Sequence, residues 1–232
     1  MDLLKQAQKP QSVSEFYKNN LKNILNYAMR ERNNYRLYLL AGFCYKKTGN
    51  YEKAIIYFTK AFKQNPECFE AFYECGLCAA KLKDTCLSVN SFIKAIKLNP
   101  NHPYAILNLG LAHEMCDEPD MAELIYSRLN DTNPDFIEGF IKKSELLMSS
   151  ERYDDVIELL TGLLSEDISD GRIFELLGTC YRKTGKITHA RRALRKAATL
   201  TANVNVYKSA KRSLKMLSAL NQTKNLKLCS AK

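Results

Sequence analysis

A periodicity of 34 residues runs through most of this 232-residue chain. The phrase YKKTGN at Tyr45–Asn50 returns as YRKTGK at Tyr181–Lys186, an offset of 136, or four times 34. Counted from Tyr35, five units follow: 35–68, 69–102, 103–136, 137–170 and 171–204. Their fourth positions are Tyr38, Phe72, Ile106, Phe140 and Phe174, and their eighth are Gly42, Gly76, Gly110, Ser144 and Gly178. The twentieth are Ala54, Ser88, Ala122, Val156 and Ala190, and the twenty-fourth are Phe58, Phe92, Tyr126, Leu160 and Leu194. Proline closes the first three units, at Pro66, Pro100 and Pro134. A short period of this kind means one supersecondary unit repeated, and such a unit cannot bury its apolar faces without stacked neighbours.

Within a unit the apolar residues fall at helical spacing in two stripes, such as Tyr38–Ala41–Gly42–Tyr45 and Ala54–Phe58–Ala61. A breaker of the KKTGN type separates them, and the prolines end the second helix because they cannot extend it. Small residues at positions eight and twenty let the two helices approach, and the large residue at twenty-four fills the space between repeats. The expectation is an all-α chain of helix hairpins.

The aromatic, Leu-Gly, Tyr, Ala, Phe, Ala, Pro order resembles the tetratricopeptide repeat. The resemblance covers Tyr35–Val204, and the first unit carries it most fully, at Tyr38, Gly42, Tyr45, Ala54, Phe58, Ala61 and Pro66. The fourth unit departs most, with Lys143, Ser144 and no closing proline. The family implies a right-handed α-solenoid of about five hairpins, without catalytic residues, acting as a scaffold or adaptor for other proteins.

The flanks read as caps. Residues 1–11 are expected to be a flexible start. Residues 12–34 follow as an N-terminal helix that opens on a Ser12–Glu15 capping box. Residues 205–220 form a capping helix with Tyr207, Ala210, Leu214 and Leu217 on one side, and 221–232 a basic tail.

The same resemblance places the first helix of each unit on the concave side, where positions two, five, nine, twelve and thirteen face inward. In the middle units these include Tyr73, Leu77, Leu107, Leu111, Met115, Ile141 and Met148. An apolar trough of this kind marks a surface for a partner peptide or helix; the alternative is packing between neighbouring first helices. Some family members grip a terminal carboxylate pair with lysine, two asparagines, lysine and arginine. The corresponding positions here read Leu39, Phe43, Glu74, Tyr104 and Asn108, or Tyr73, Leu77, Asn108, Glu138 and Lys142, and no such clamp assembles.

Charge is the second constraint. After Glu175 no Asp or Glu occurs, while fourteen Lys and Arg do, so the net charge of +10 comes from one end. Arg191, Arg192, Arg195 and Lys196 on the last repeat helix and Lys208, Lys211, Arg212 and Lys215 on the cap form a candidate accessory site for an acidic protein surface. An RNA-associated adaptor using that basic end is the alternative, although few aromatics stand there to stack on bases.

Chemistry of other kinds has little to rest on. No phosphate-cradling glycine loop or nucleophile elbow occurs, and His102, His113 and His189 are scattered. The pair in CGLC, Cys75 and Cys78, falls on ordinary repeat positions and reads as packing rather than zinc or redox chemistry. No cofactor and no metal are expected. No apolar run reaches the roughly 18–20 residues of a membrane span, and a cytoplasmic or nuclear protein with reduced cysteines is expected.

Overall fold

The computed structural model describes residues 13–31, 33–164, 170–200 and 204–229. Among them lie twelve α-helices and no strand. The helices are α1 Val13–Arg30, α2 Tyr35–Lys47, α3 Tyr51–Gln64, α4 Phe69–Lys81, α5 Thr85–Leu98, α6 Pro103–Met115, α7 Pro119–Thr132, α8 Ile137–Ser149, α9 Tyr153–Leu163, α10 Gly171–Lys183, α11 Ile187–Leu200 and α12 Val204–Cys229. The expected flexible start, Ser12 of the capping box and residues 230–232 lie outside the described residues.

Helices α2, α3, α5, α6 and α10 start on a side chain that accepts from an unpaired amide of the first turn. The Asn50 side chain accepts from the amide of Lys53 at 3.1 Å, and that of Asp84 from Leu87 at 3.0 Å. Asp170 accepts from Arg172 at 2.8 Å. Pro103 and Pro119 open α6 and α7, where a missing N–H costs nothing.

The hairpin turn explains why the KTG phrase recurs. Position fifteen of every unit has left-handed backbone: Gly49 at φ 80°, Lys83 at 60°, Asp117 at 59°, Glu151 at 58° and Gly185 at 76°. Glycine adopts that conformation without a Cβ clash. The outer units use it; the three inner ones hold the same turn with strained residues.

The chain divides into two compact units, residues 1–133 and 134–232. In the first, α1 packs on α2, and α2/α3, α4/α5 and α6/α7 form three hairpins. One of its cores joins α3 to α4 through Ala54, Phe58, Cys75 and Cys78, and another gathers Ala61, Cys68 and Ala71. In the second, α8/α9 and α10/α11 enclose a continuous core from Phe140 to Leu194, closed by Ala210 and Leu217 of α12.

Position eight sets how closely the helices of a hairpin approach. A Cβ built on Gly42 would lie 2.5 Å from Phe58 Cε1, and one on Gly76 2.8 Å from Phe92 Cε1. Phe58 and Phe92 are fully buried, so neither ring can swing away into solvent. The fourth unit has Ser144 and the smaller Leu160 at the matching positions. Its buried hydroxyl is satisfied by donating to the carbonyl of Phe140 at 2.7 Å.

Two elements differ from expectation in length. Helix α12 passes residue 220 and reaches Cys229, because no proline or glycine interrupts Asn221–Cys229. Helix α9 has eleven residues, whereas α3, α5, α7 and α11 have fourteen each. It lacks a closing proline and carries Gly162, whose Cβ position is open space. That glycine weakens the last turn without serving any close packing.

Candidate protein-binding surfaces

The first helices of the first unit, α2, α4 and α6, carry five of the expected groove residues. Tyr73, Leu77 and Leu111 are half-buried, and Met115 is 46% exposed. Leu107 is 7% exposed and has little surface to offer. In the second unit Met148 is half-buried and packs against the unit's core, while Ile141 is 4% exposed. Packing, the alternative weighed for such positions, therefore accounts for Leu107 and Ile141.

A cluster that the groove positions alone do not predict surrounds Tyr73. Its ring stacks on Phe69 of the same helix, with centroids 5.6 Å apart. His102, just before α6, lies 4.6 Å from Phe69 and 5.4 Å from Tyr73, ring to ring. Tyr104, 53% exposed, stands 6.2 Å from His102. Asn108 ties α6 to α4: its side-chain amide donates to the Tyr73 hydroxyl at 3.3 Å and to the Tyr104 carbonyl at 2.6 Å. His102 Nδ1 accepts from the amide of Ala105 at 3.1 Å, so a neutral ring carries its proton on Nε2. Burial, with the charge of Glu74 second, raises the Tyr73 phenol above its usual range. The visible signal in the sequence is the aromatic run at unit positions one, two and five, with a histidine as the residue before Pro103.

Polar pairs frame these surfaces. Within the first unit Lys46 of α2 pairs with Glu74 of α4. Within the second, Arg172 of α10 meets Glu138 of α8 at 2.8 Å and Asp170 at 2.8 Å. Glu138 and Arg172 hold position two in successive units. Burial acts to raise the Asp170 carboxyl, yet hydrogen bonds from the side chain and backbone of Arg172 outweigh it and hold the group below its usual range. Arg172 thus forms a structural link between α8 and α10.

The basic C-terminal residues are otherwise placed. Arg192, Arg195, Lys196, Lys208, Lys211, Arg212 and Lys215 are exposed and Arg191 is half-buried. Among the described residues none of the eight is ion-paired with a carboxylate. Two rest on rings: Lys196 Nζ lies 4.3 Å from the centre of Phe174, and Lys211 Nζ 4.6 Å from that of Tyr207.

Cys44, Cys68, Cys75, Cys78 and Cys180 belong to the core, whereas Cys86 is exposed and Cys116 half-buried. Cys75, Cys78 and Cys180 are fully buried. Burial pushes the Cys78 thiol up to about 12 and the Cys180 thiol to about 11. A thiol so far above neutral pH is a poor nucleophile, because that role needs the thiolate. A stability consequence follows. The unfolded chain ionises Cys78 near 9 while the folded chain holds the proton to about 12. Its contribution is fully present below pH 9 and lost as pH rises toward 12. Cys78→Ala should cost about 1 kcal/mol at neutral pH through lost burial and flatten the decline between pH 9 and 12. Urea unfolding at a series of pH values measures both.

Stacked helix hairpins with first-helix apolar surfaces define a tandem-repeat protein of the kind that binds other proteins. A tetratricopeptide repeat model matches residues 35–68 and 171–204, so the chain carries tetratricopeptide repeats there within an all-α fold. Human anaphase-promoting complex subunit 7 is 27% identical over 149 residues, 63% of this chain and 26% of that protein. Anaphase-promoting complex subunit 3 of Schizosaccharomyces pombe is 24% identical over 149 residues, 64% of this chain and 22% of that protein. The chain therefore spans about a quarter of the length of these relatives. Among solved structures, YrrB, described as a TPR protein with an unusual peptide-binding site, matches with a TM-score of 0.61. It is 16% identical, covering 82% of this chain and 97% of that one, a likeness of fold.

Proposed function

We propose that this chain is a non-catalytic scaffold that binds other proteins and works as a subunit of a larger assembly in the nucleus or cytoplasm. Its relatives are named as subunits of a multi-protein complex, and its helix hairpins form a protein-binding fold. Among the described residues no helix is long and apolar enough to cross a membrane. The observation that carries the binding reading is the aromatic surface of α4 and α6. There Phe69 stacks on Tyr73, His102 meets Phe69, Tyr73 and Tyr104 at tilted angles, and Tyr104 and Met115 remain about half exposed. A partner peptide or helix laid across it would place apolar anchors against Tyr73, Leu77, Leu111 and Met115, which a helix supplies at i, i+4 and i+7. The basic α11 and α12 would meet an acidic surface of the same or another partner and orient it.

Leu111→Glu combined with Met115→Glu should abolish capture of the principal partner in affinity purification, with the helical signal and melting of the chain retained. Leu107 is unsuitable for this purpose because a buried glutamate would unfold the site. A folded double variant that still retains every partner would disprove the groove assignment. The RNA reading draws on the same exposed basic residues. Purification with and without nuclease separates it from the first, as does the steep salt dependence that phosphate contacts produce.

A further inference from the structure

The shortened α9 leaves a recess in the second unit. In the first unit Phe62, in the last turn of α3, stacks on Phe72 of α4 with centroids 4.4 Å apart. The corresponding residues in the second unit are Leu164 and Phe174, three periods later. Leu164 lies beyond the end of α9 and is only half-buried. A pocket of about 340 Å³ lies there, with Leu164, Phe174 and Leu177 on its apolar side and His189, Arg192 and Lys196 of α11 at its edge. The three α11 residues follow helical spacing, at i, i+3 and i+7, so they project from one face. The contact of Lys196 with the Phe174 ring holds its ammonium at the pocket mouth.

We propose that this pocket is a docking socket for an acidic protein segment that inserts one leucine-sized apolar side chain and sets flanking carboxylates against Arg192 and Lys196. The recess sets apolar side chains beside cations, and the two exposed cations have no carboxylate partner among the described residues. An apolar floor beside unpaired cations selects for both features at once, whereas a diffuse basic surface would select for charge alone. The socket rests on the reading of the basic end as an acidic-partner surface. It adds a specific position, an apolar requirement and a division of roles between α11 and α12. It is separate from the α4/α6 surface.

The test uses the full 232-residue chain and a fluorescein-labelled synthetic dodecapeptide holding one leucine between runs of glutamate, followed by fluorescence anisotropy. Changing that leucine to serine should weaken binding about tenfold, the worth of one buried apolar side chain. Arg192→Glu with Lys196→Glu should remove the difference between the two peptides. Reversing Lys208, Lys211, Arg212 and Lys215 should weaken both peptides equally and preserve it. Both sets are exposed, so the fold is retained and checked by melting. Glu166 and Asp167, the nearest acids in sequence, lie outside the described residues; Glu166→Gln with Asp167→Asn should leave binding unchanged or tighter, and weaker binding would overturn the socket. Equal affinity for the leucine and serine peptides would overturn the socket while leaving the acidic-surface reading intact. No binding of either peptide at low salt would overturn both.

Discussion

Phe58→Ala should destabilise the first unit by about 3–5 kcal/mol, the largest single-residue effect expected in the chain. Phe58 is completely buried, meets Phe43 edge-on with centroids 5.5 Å apart, and joins α3 to α4 beside Cys75 and Cys78. Its ring also occupies the space that a Cβ at Gly42 would enter. Gly42→Ala should therefore cost about 1–3 kcal/mol through overpacking when Phe58 is present. In the Phe58→Ala background the added methyl enters vacated space, so the two costs should fall well short of additive. Urea unfolding of the four proteins closes the cycle. Additive costs would mean that the Gly42 requirement does not arise from Phe58.

The second large effect concerns association. Reversing Arg191, Arg192, Arg195 and Lys196 to glutamate should slow binding of an acidic partner at least about tenfold at low salt, since a concentrated field steers encounter. The four lie on one helix, and no acid follows Glu175 to compensate them. Reversal leaves like charges at 191/195 and 192/196 still side by side, so helix stability is largely unchanged and the kinetic difference reports on the partner. It should shrink as salt shortens the Debye length from ~10 Å at 0.1 M toward ~3 Å at 1 M. Stopped-flow association across that range measures it. Equal rates at low salt would make the cluster a solvated surface only.

The repeat architecture was readable because it rests on pairs within a unit. Gly42 with Phe58, Gly76 with Phe92 and Gly178 with Leu194 lie sixteen residues apart, and spacing alone brings them together. The helix-breaking prolines and the KTG turns are local as well. The exposure of a groove residue depends instead on what neighbouring helices cover, and position five or nine does not encode that. Hence Leu107 and Ile141 are buried while Tyr73 and Leu111 keep some surface. The His102 cluster was hidden for another reason. It joins the start of one unit to the end of that same unit, residues 69 and 102, across two helices and a turn. The recess beside α9 arises from a turn of helix that the repeat period anticipates and the sequence near Gly162 does not sustain.

The distribution of cysteines makes the chain its own reporter of opening. Cys44, Cys68, Cys75 and Cys78 lie buried in the first unit and Cys180 in the second, whereas Cys86 is exposed. An alkylating reagent in the native state should modify Cys86 at once and each buried thiol only when its own unit opens. The modification rates would then give the opening free energy of the two units separately, in an otherwise unaltered protein.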